Sequence, residues 1–262
     1  MSTTPTKVAI ITGAGGGLGA ASARLLAERG FTTVATDITE PAEPPQDPGN
    51  GAAVEFVTHD VADPESWRRL VEQTMDRHGR VDVLVNSAGI QGDLSRSSFE
   101  ETTLEHWRTV MAVNLEGTFL GCQAIMPAMK TGDGGSIVNI SSLGAYYPTT
   151  YNPAYGASKA AITQLTKTVA AVGAADDPKV RCNSVHPGVI ETAMTLNLRN
   201  AMGGGKPQEN GVPQASIASR IPLGRTAQAQ EIASVVVFLA ADDSSFVTGS
   251  EYLVDGGSRL VR

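Results

Sequence analysis

Seven short runs dominated by valine and isoleucine recur along the chain: VAIIT (8–12), TVAT (33–36), VEFVT (54–58), VDVLVN (81–86), SIVNIS (136–141), VRCNSV (180–185) and YLV (252–254). They are continuous rather than alternating, and segments of helical pattern separate them. A strand that is apolar at every position must be covered on both faces, as in a parallel sheet with helices above and below it. The expected fold is therefore α/β, with a doubly wound, seven-stranded parallel sheet. Over 262 residues a single domain covering 1–262 is expected, because α/β folds of roughly 200–250 residues commonly form one.

Composition removes several classes of partner. Hydrophobic residues at 41% against 18% charged residues suit a chain that buries a sizeable core. The formal charge is −7, with lysines and arginines scattered, so the basic footprint of a nucleic-acid binder is missing. The opening MSTTPTKVAIITG has no apolar stretch of signal-peptide length, and 232–241 is too short to span a bilayer, which implies a cytoplasmic protein without membrane partners. Cys122 and Cys182 lie sixty residues apart with no CxxC, and His59, His78, His106 and His186 show no HExxH spacing. No metal is expected, and both cysteines read as buried small hydrophobes.

After the first run comes TGAGGGLG (12–19), and then Leu18, Ala21, Ser22, Leu25 and Leu26 fall at i, i+3, i+4, i+7 and i+8, a helical stripe that Gly30 can end. Strand, glycine-rich turn and helix form the Rossmann-type opening, in which Gly13, Gly17 and Gly19 permit positive φ and close approach to a pyrophosphate at the helix N-terminus. A glycine-rich turn alone is equally a structural turn. Asp37, closing the second run, lies where an acidic residue accepts hydrogen bonds from an adenosine ribose and repels a 2′-phosphate. No Arg or Lys occurs between Gly13 and Gly19 or between Asp37 and Gly51, so the expected cofactor is NAD rather than NADP. The four prolines of 38–51 predict a loop, as does 88–98. A further loop, serving as a mobile substrate lid, is expected over 191–213.

The strand and loop NSAG (86–89), the set Asn114, Ser142, Tyr155 and Lys159, and the turn HPGVIET (186–192) together resemble the short-chain dehydrogenase/reductase family in its single-domain form. The resemblance runs from Lys7 to Gly257. It implies that Gly13, Gly17, Leu18 and Gly19 hold the pyrophosphate, Asp37 the adenosine ribose, and Asp60 with Val61 the adenine. Asn86, Ala88 and Gly89 would border the ribose. Pro187 and Gly188 would form the turn beside the nicotinamide, with the Ile190 backbone and the Thr192 side chain on its carboxamide. Two departures stand out: Ser87 replaces the usual second Asn of NNAG, and prolines occupy 41–48, where many relatives carry a helix.

Hydride transfer at a carbinol carbon requires a proton to leave or reach its oxygen, so the site needs an acid/base group whose pKa approaches working pH. Tyrosine, at about 10, is unsuited unaided. Tyr155 and Lys159 are four apart among the helix-favouring alanines of AYGASKAA, so they share a face, and an ammonium or an oxidised nicotinamide lowers a phenol pKa. Tyr155 reads as general base in oxidation and general acid in reduction, and Lys159 also as a ligand of the nicotinamide ribose. Ser142 would bind the substrate oxygen, with Ser141 as its rival. Asn114 would support a water beside Lys159, or else bond only to backbone.

For substrate, residues 90–94, LGAYYPTTYNP (143–153) and the lid residues Met194, Leu196, Leu198 and Met202 suggest an apolar, aromatic pocket for a hydrophobic or cyclic secondary alcohol or ketone. FLGCQ, VRCNSVHPG and VTGSEYLVDGG are similar to hydroxysteroid and secondary-alcohol dehydrogenases of the family. Reduction of a 3-oxoacyl thioester, oxidation of a sugar or polyol, and a non-catalytic NAD-binding sensor remain the alternatives. In relatives the helices at about 103–129 and 154–175 form subunit contacts, which implies a homotetramer.

Overall fold

The computed structural model describes residues 6–41, 46–49, 52–96, 98–202 and 217–261. Its sheet has seven strands, all paired in parallel: β1 (Val8–Thr12), β2 (Thr32–Asp37), β3 (Val54–Thr58), β4 (Val83–Asn86), β5 (Gly135–Ile140), β6 (Val180–Pro187) and β7 (Glu251–Val254). The order across the sheet is β3-β2-β1-β4-β5-β6-β7. Each predicted run coincides with a strand to within two residues at either end.

β1 explains why the runs are continuous. Ala9 and Ile11 pack on one face with Leu18 and Leu26 of α1 (Gly17–Glu28) and with Ile232 and Val236 of α7 (Ala229–Ala240). Val8 and Ile10 pack on the other with Trp67 and Leu70 of α2 (Pro64–His78) and with Ile125 and Met129 of α4 (Gly117–Thr131). Alternate side chains point to opposite faces, and each fully buried aliphatic contributes about 1.5–3 kcal/mol.

The helix ends follow the local sequence. Asp63 caps α2 by accepting from Glu65 N at 2.9 Å, Pro64 opens it, and Gly79 closes it at φ 72°. Gly30, at φ 88°, follows α1 as expected. Helix α3 (Leu104–Met111) runs through one π-helical turn, Ala112–Glu116, into α4. Helix α5 is Pro153–Ala175.

One loop expectation is corrected. Ala193–Met202 is a helix, α6, because TLNLRNAM contains residues that favour helix and no breaker before the glycines at 203–205; the rest of the expected lid, 203–213, lies outside the described residues. The 88–98 segment contains a 3-10 turn, Leu94–Arg96. In the proline-rich segment, residues 38–41 and 46–49 carry no helix or strand, and 42–45, 50 and 51 lie outside the described residues. No helix among the described residues is long and apolar enough to cross a membrane.

Strand order reverses between β1 and β4. The crevice beyond the carboxyl ends of strands at such a point is where open α/β sheets bind ligands.

Candidate active site

A cavity of about 850 Å³ occupies that crevice. At one end lies the glycine turn. Gly13 is at φ 69°, and a Cβ there would stand 2.7 Å from Ala88 Cα; a Cβ on Gly19 would stand 2.1 Å from Gly13 O. Both positions demand glycine. Gly16 is different: nothing lies within 4 Å of where its Cβ would be, and it lines the cavity. As the N-cap of α1 it supplies no side-chain acceptor, and no acidic residue follows in the first turn. The first N–H groups and the positive end of the helix dipole are thus left facing the cavity, a cradle that fits a pyrophosphate.

Asp37, at the end of β2, accepts Gly15 N on one carboxylate oxygen at 2.9 Å and Ile38 N on the other at 2.7 Å. It lines the cavity with Ile38, Asp60 and Val61. Asp60 accepts Ala62 N at 2.9 Å, and the Val61 carbonyl accepts the Trp67 indole N–H at 2.9 Å. These contacts fix the loop after β3, where the adenosine moiety of a nicotinamide cofactor would lie.

In the middle, Ala88 and Gly89 line the cavity with Ser87. Asn86 does not. It is buried and donates to Asn139 Oδ1 at 2.9 Å, because a side chain at that strand position points into the core. Asn139 in turn donates to Thr166 Oγ1 at 2.9 Å and to Cys182 Sγ at 3.5 Å, and Asn86 reaches Cys122 Sγ at 3.6 Å. Both cysteines are buried and free, as expected, and the fold brings them to one amide network. Among the described residues no cluster of three or more His, Cys, Asp or Glu forms a metal site.

Pro187, Gly188, Ile190 and Thr192 all line the far part of the cavity. Ile190 pairs with Ala227 in a single parallel bridge that uses Glu191 N at 2.9 Å and the Val189 carbonyl at 2.9 Å. The backbone N–H and C=O of Ile190 itself take no part in that bridge. Thr192 leans toward the glycine turn, its Cγ2 3.5 Å from the Cβ position of Gly17.

The acid/base group is built where β5 and the start of α5 meet. Asn152 caps α5 by accepting Tyr155 N at 3.1 Å, and its amide donates to the Gln91 carbonyl at 2.8 Å. One buried side chain therefore fixes both Tyr155 and the loop after β4. The Ser142 hydroxyl accepts Gly144 N at 3.1 Å and is hydrogen-bonded to the Tyr155 hydroxyl. Ser141, the rival, is turned away: its hydroxyl donates to the Lys159 carbonyl at 2.9 Å and meets Thr163 Oγ1 at 3.2 Å. His186, beneath Ser142, contacts Ser184 Oγ at 2.8 Å and the Ser142 carbonyl at 3.4 Å.

Lys159 Nζ lies 5.7 Å from the Tyr155 ring centroid and donates to the Ile140 carbonyl at 2.8 Å. Burial pushes the ammonium down to about 8. The Tyr155 phenol is not lowered by its protein surroundings: burial raises it, and the Ser142 hydroxyl works against that rise. The expectation that a nearby ammonium lowers it is not met by the chain by itself, since desolvation of the phenolate outweighs what the protein supplies.

Asn114, in the π turn, is fully buried behind Gly89. Its Oδ1 accepts Ile90 N at 2.8 Å, and its Nδ2 donates to the Ile90 carbonyl at 3.0 Å and to Ser158 Oγ at 3.1 Å. The amide is engaged with protein throughout, so it ties α4 to the loop after β4 and to α5. Its Oδ1 and Lys159 Nζ each lie 3.4 Å from the Cβ position of Gly89, which keeps that wall free of side chain.

Met194, Leu198, Tyr147 and Tyr151 line the substrate end. Leu196 is half exposed on the outside of α6, and the side chain of Met202 lies outside the described residues. Sequence reasoning missed Gly16, His59 and Arg220 as cavity residues, while Gln91 falls within the pocket segment 90–94 that it expected. Only Gly16 carried a signal, as the glycine of the turn immediately before the helix.

The fold and this site define a nicotinamide-dependent oxidoreductase of the doubly wound α/β type. A family profile described as Enoyl-(Acyl carrier protein) reductase matches residues 13–259, and the chain belongs to the short-chain dehydrogenase/reductase family. It is 40% identical to trans-4-hydroxycyclohexanecarboxylate dehydrogenase of Sinomonas cyclohexanicum over 96% of this chain and 92% of that protein. It is 39% identical to a 3-oxoacyl-acyl-carrier-protein reductase of Thermotoga maritima, covering 96% and 97%. Identity to the NADP-dependent (R)-specific alcohol dehydrogenase of Lentilactobacillus kefiri is 37%, covering 96% of each. Among solved structures, the ligand-free aldohexose dehydrogenase of Thermoplasma acidophilum superposes with a TM-score of 0.87 at 32% identity, covering 98% of this chain and 95% of that one.

Proposed function

We propose that this enzyme transfers hydride between NAD and a hydrophobic or cyclic secondary alcohol or ketone. The observation that carries the reading is the Tyr155 phenol, hydrogen-bonded by Ser142 and set beside Lys159 at the apolar end of a cavity whose other end holds Asp37. The Sinomonas relative, by its name a dehydrogenase of a ring alcohol, supports the same substrate class.

Gly13, Gly17, Leu18 and Gly19 would hold the pyrophosphate, Asp37 the adenosine ribose, Asp60 and Val61 the adenine, and Ala88 and Gly89 the neighbouring ribose. Pro187, Gly188, Ile190 and Thr192 would hold the nicotinamide, and Lys159 its ribose. Bound nicotinamide accepts hydride in oxidation and supplies it in reduction, and its oxidised ring adds a positive charge beside the phenol. Tyr155 takes the proton from the substrate hydroxyl in oxidation and returns it in reduction. Ser142 hydrogen-bonds the same oxygen as charge develops there. Asn114 is a positioning residue, acting through Ile90 and Ser158, and Asn86 acts only through the core.

The choice of NAD rests on Asp37, whose carboxylate would meet a 2′-phosphate, and on the lack of compensating cations: among the described cavity residues only Lys159 and Arg220 are lysine or arginine. The same scarcity weighs against a phosphorylated acyl carrier. Leu104, Phe119 and Val172, on α3, α4 and α5, are about half exposed, which supports subunit contacts through these helices and a homotetramer; sedimentation at micromolar concentration checks it. A cytoplasmic setting completes the reading.

The test is formation of reduced nicotinamide from cyclic, steroidal, aliphatic and polyol alcohols with NAD and NADP in parallel, with Tyr155→Phe as control. Turnover with NAD that disappears in the variant is expected. Binding of NADH without turnover of any alcohol or matching ketone would leave a non-catalytic sensor instead.

A further inference from the structure

The charges of the cavity are polarised. Its carboxylates among the described residues, Asp37 at the end of β2 and Asp60 just beyond β3, lie at one edge of the sheet order. The substrate end, toward β6 and α6, has apolar and aromatic walls that include Met194, Leu198, Tyr147 and Ile217, together with, among the described residues, one guanidinium, Arg220. The other cavity cation, Lys159, is buried and held by the Ile140 carbonyl.

Arg220 stands on a fixed turn. Its N–H donates to the Ile217 carbonyl at 3.0 Å, and the next residue, Ile221, is buried with Cγ2 2.6 Å from the Cβ position of Gly256. Nearby Arg225 is paired with Glu231 at 2.6 Å. Arg220 forms no ion pair with any described residue. No carboxylate among the described cavity residues lies at its end.

We propose that the substrate carries a carboxylate on the ring system, remote from the reacting carbon, and that Arg220 binds it. The inference rests on the ring-alcohol reading above and names its substrate class: hydroxycycloalkane carboxylic acids and the matching oxo acids. Arg220 is exposed at the edge of these apolar walls, where a guanidinium's planar fork matches a carboxylate in two parallel hydrogen bonds. An acidic carrier protein bearing a phosphate arm is a poorer fit, because one arginine at the mouth of a chain of net charge −7 gives little attraction.

Two measurements test this. In the first, kcat/KM with NAD is compared for 3- and 4-hydroxycyclohexanecarboxylic acids and their methyl esters, in the wild type, Arg220→Gln and Arg220→Lys. The wild type should prefer acid over ester by roughly tenfold or more, chiefly through KM. Arg220→Gln should bring that ratio near one, with Arg220→Lys between the two. In the second, binding of unreactive cyclohexanecarboxylate to the NADH complex is followed by calorimetry. Binding that weakens in Arg220→Gln is expected, and equal binding by both proteins would overturn the proposal whatever the rates show. Arginine-dependent binding without turnover of any ring alcohol would instead sink the dehydrogenase reading and keep the anion site. Faster turnover of an acyl-carrier thioester than of either acid would overturn both.

Discussion

The Asp37 carboxylate accepts the backbone N–H of Gly15 at 2.9 Å, joining the end of β2 to the phosphate turn. A carboxylate so held cannot swing away from a 2′-phosphate. Replacing it with alanine removes both the turn contact and the repulsion. Asp37→Ala should lower kcat/KM with NAD by about ten- to a hundredfold, the scale of one or two charge-assisted hydrogen bonds, and raise the NADP-to-NAD ratio. Steady-state rates with both cofactors check it, and an unchanged ratio would remove Asp37 from cofactor selection.

The two adjacent serines separate chemistry from structure. Ser142 is hydrogen-bonded to Tyr155, whereas Ser141 bonds the Lys159 carbonyl at 2.9 Å. Ser142→Ala should reduce kcat by about 10²–10³, as loss of one donor to a developing oxyanion does, with little change in melting temperature. Ser141→Ala should cost about 1 kcal/mol of stability and leave kcat within a few fold. Initial rates and thermal melts of the two variants would expose a reversed pattern.

Tyr155 works as a base only when ionised and as an acid only when neutral, and burial raises its pKa. The rate of alcohol oxidation should therefore climb with pH across the neutral and mildly alkaline range, while ketone reduction falls as the phenol ionises. Profiles of log kcat in both directions test this, and profiles that rise or fall together would exclude a single shared acid/base group.

Lys159 makes an opposite-signed mark on stability. Its pKa falls from 10.5 to about 8 through burial, so between those values the unfolded chain holds a proton that the folded chain has lost. Stability contributed by this residue therefore rises with pH across that window, and the penalty is fully present below about pH 8. Lys159→Met should be more stable than the wild type at pH 7.5 by up to about 3 kcal/mol, less whatever the lost bond to Ile140 contributes. The gap should close toward pH 10. Urea unfolding at both pH values decides it, and a gap that widened would reverse the assignment.

Much of this was legible because strands buried on both faces leave continuous apolar runs, and because a helical i, i+4 spacing puts Tyr155 and Lys159 on one face. Side-chain direction at a strand end was not legible: Asn86 and Ala88 are two residues apart, yet one faces the core and the other the cavity. Residues 193–202 read as loop because the following glycines dominated the pattern, although the segment itself had no breaker. The partners of Asn114 lie at Ile90 and Ser158, brought together only by the tertiary fold, and Arg220 gains its meaning from the lack of an ion pair with any described residue. Spacing in the sequence cannot report such neighbours.

Gly16 and Gly19 should respond in opposite ways to the same methyl group. A Cβ on Gly19 would overlap the Gly13 carbonyl at 2.1 Å, so Gly19→Ala must displace backbone. Gly16 has an extended φ of −178° and open space where its Cβ would go, so any L-residue fits there without strain. Its added atoms would instead project beside the N–H groups proposed to hold the pyrophosphate. Gly16→Val should keep stability within about 0.5 kcal/mol of the wild type, as surface changes without a structural role do, yet weaken NADH binding at least severalfold. Gly19→Ala should lose stability and binding together. Fluorescence titration with NADH alongside thermal melts resolves the two cases, and Gly16→Val with undiminished affinity would move the pyrophosphate away from the start of α1.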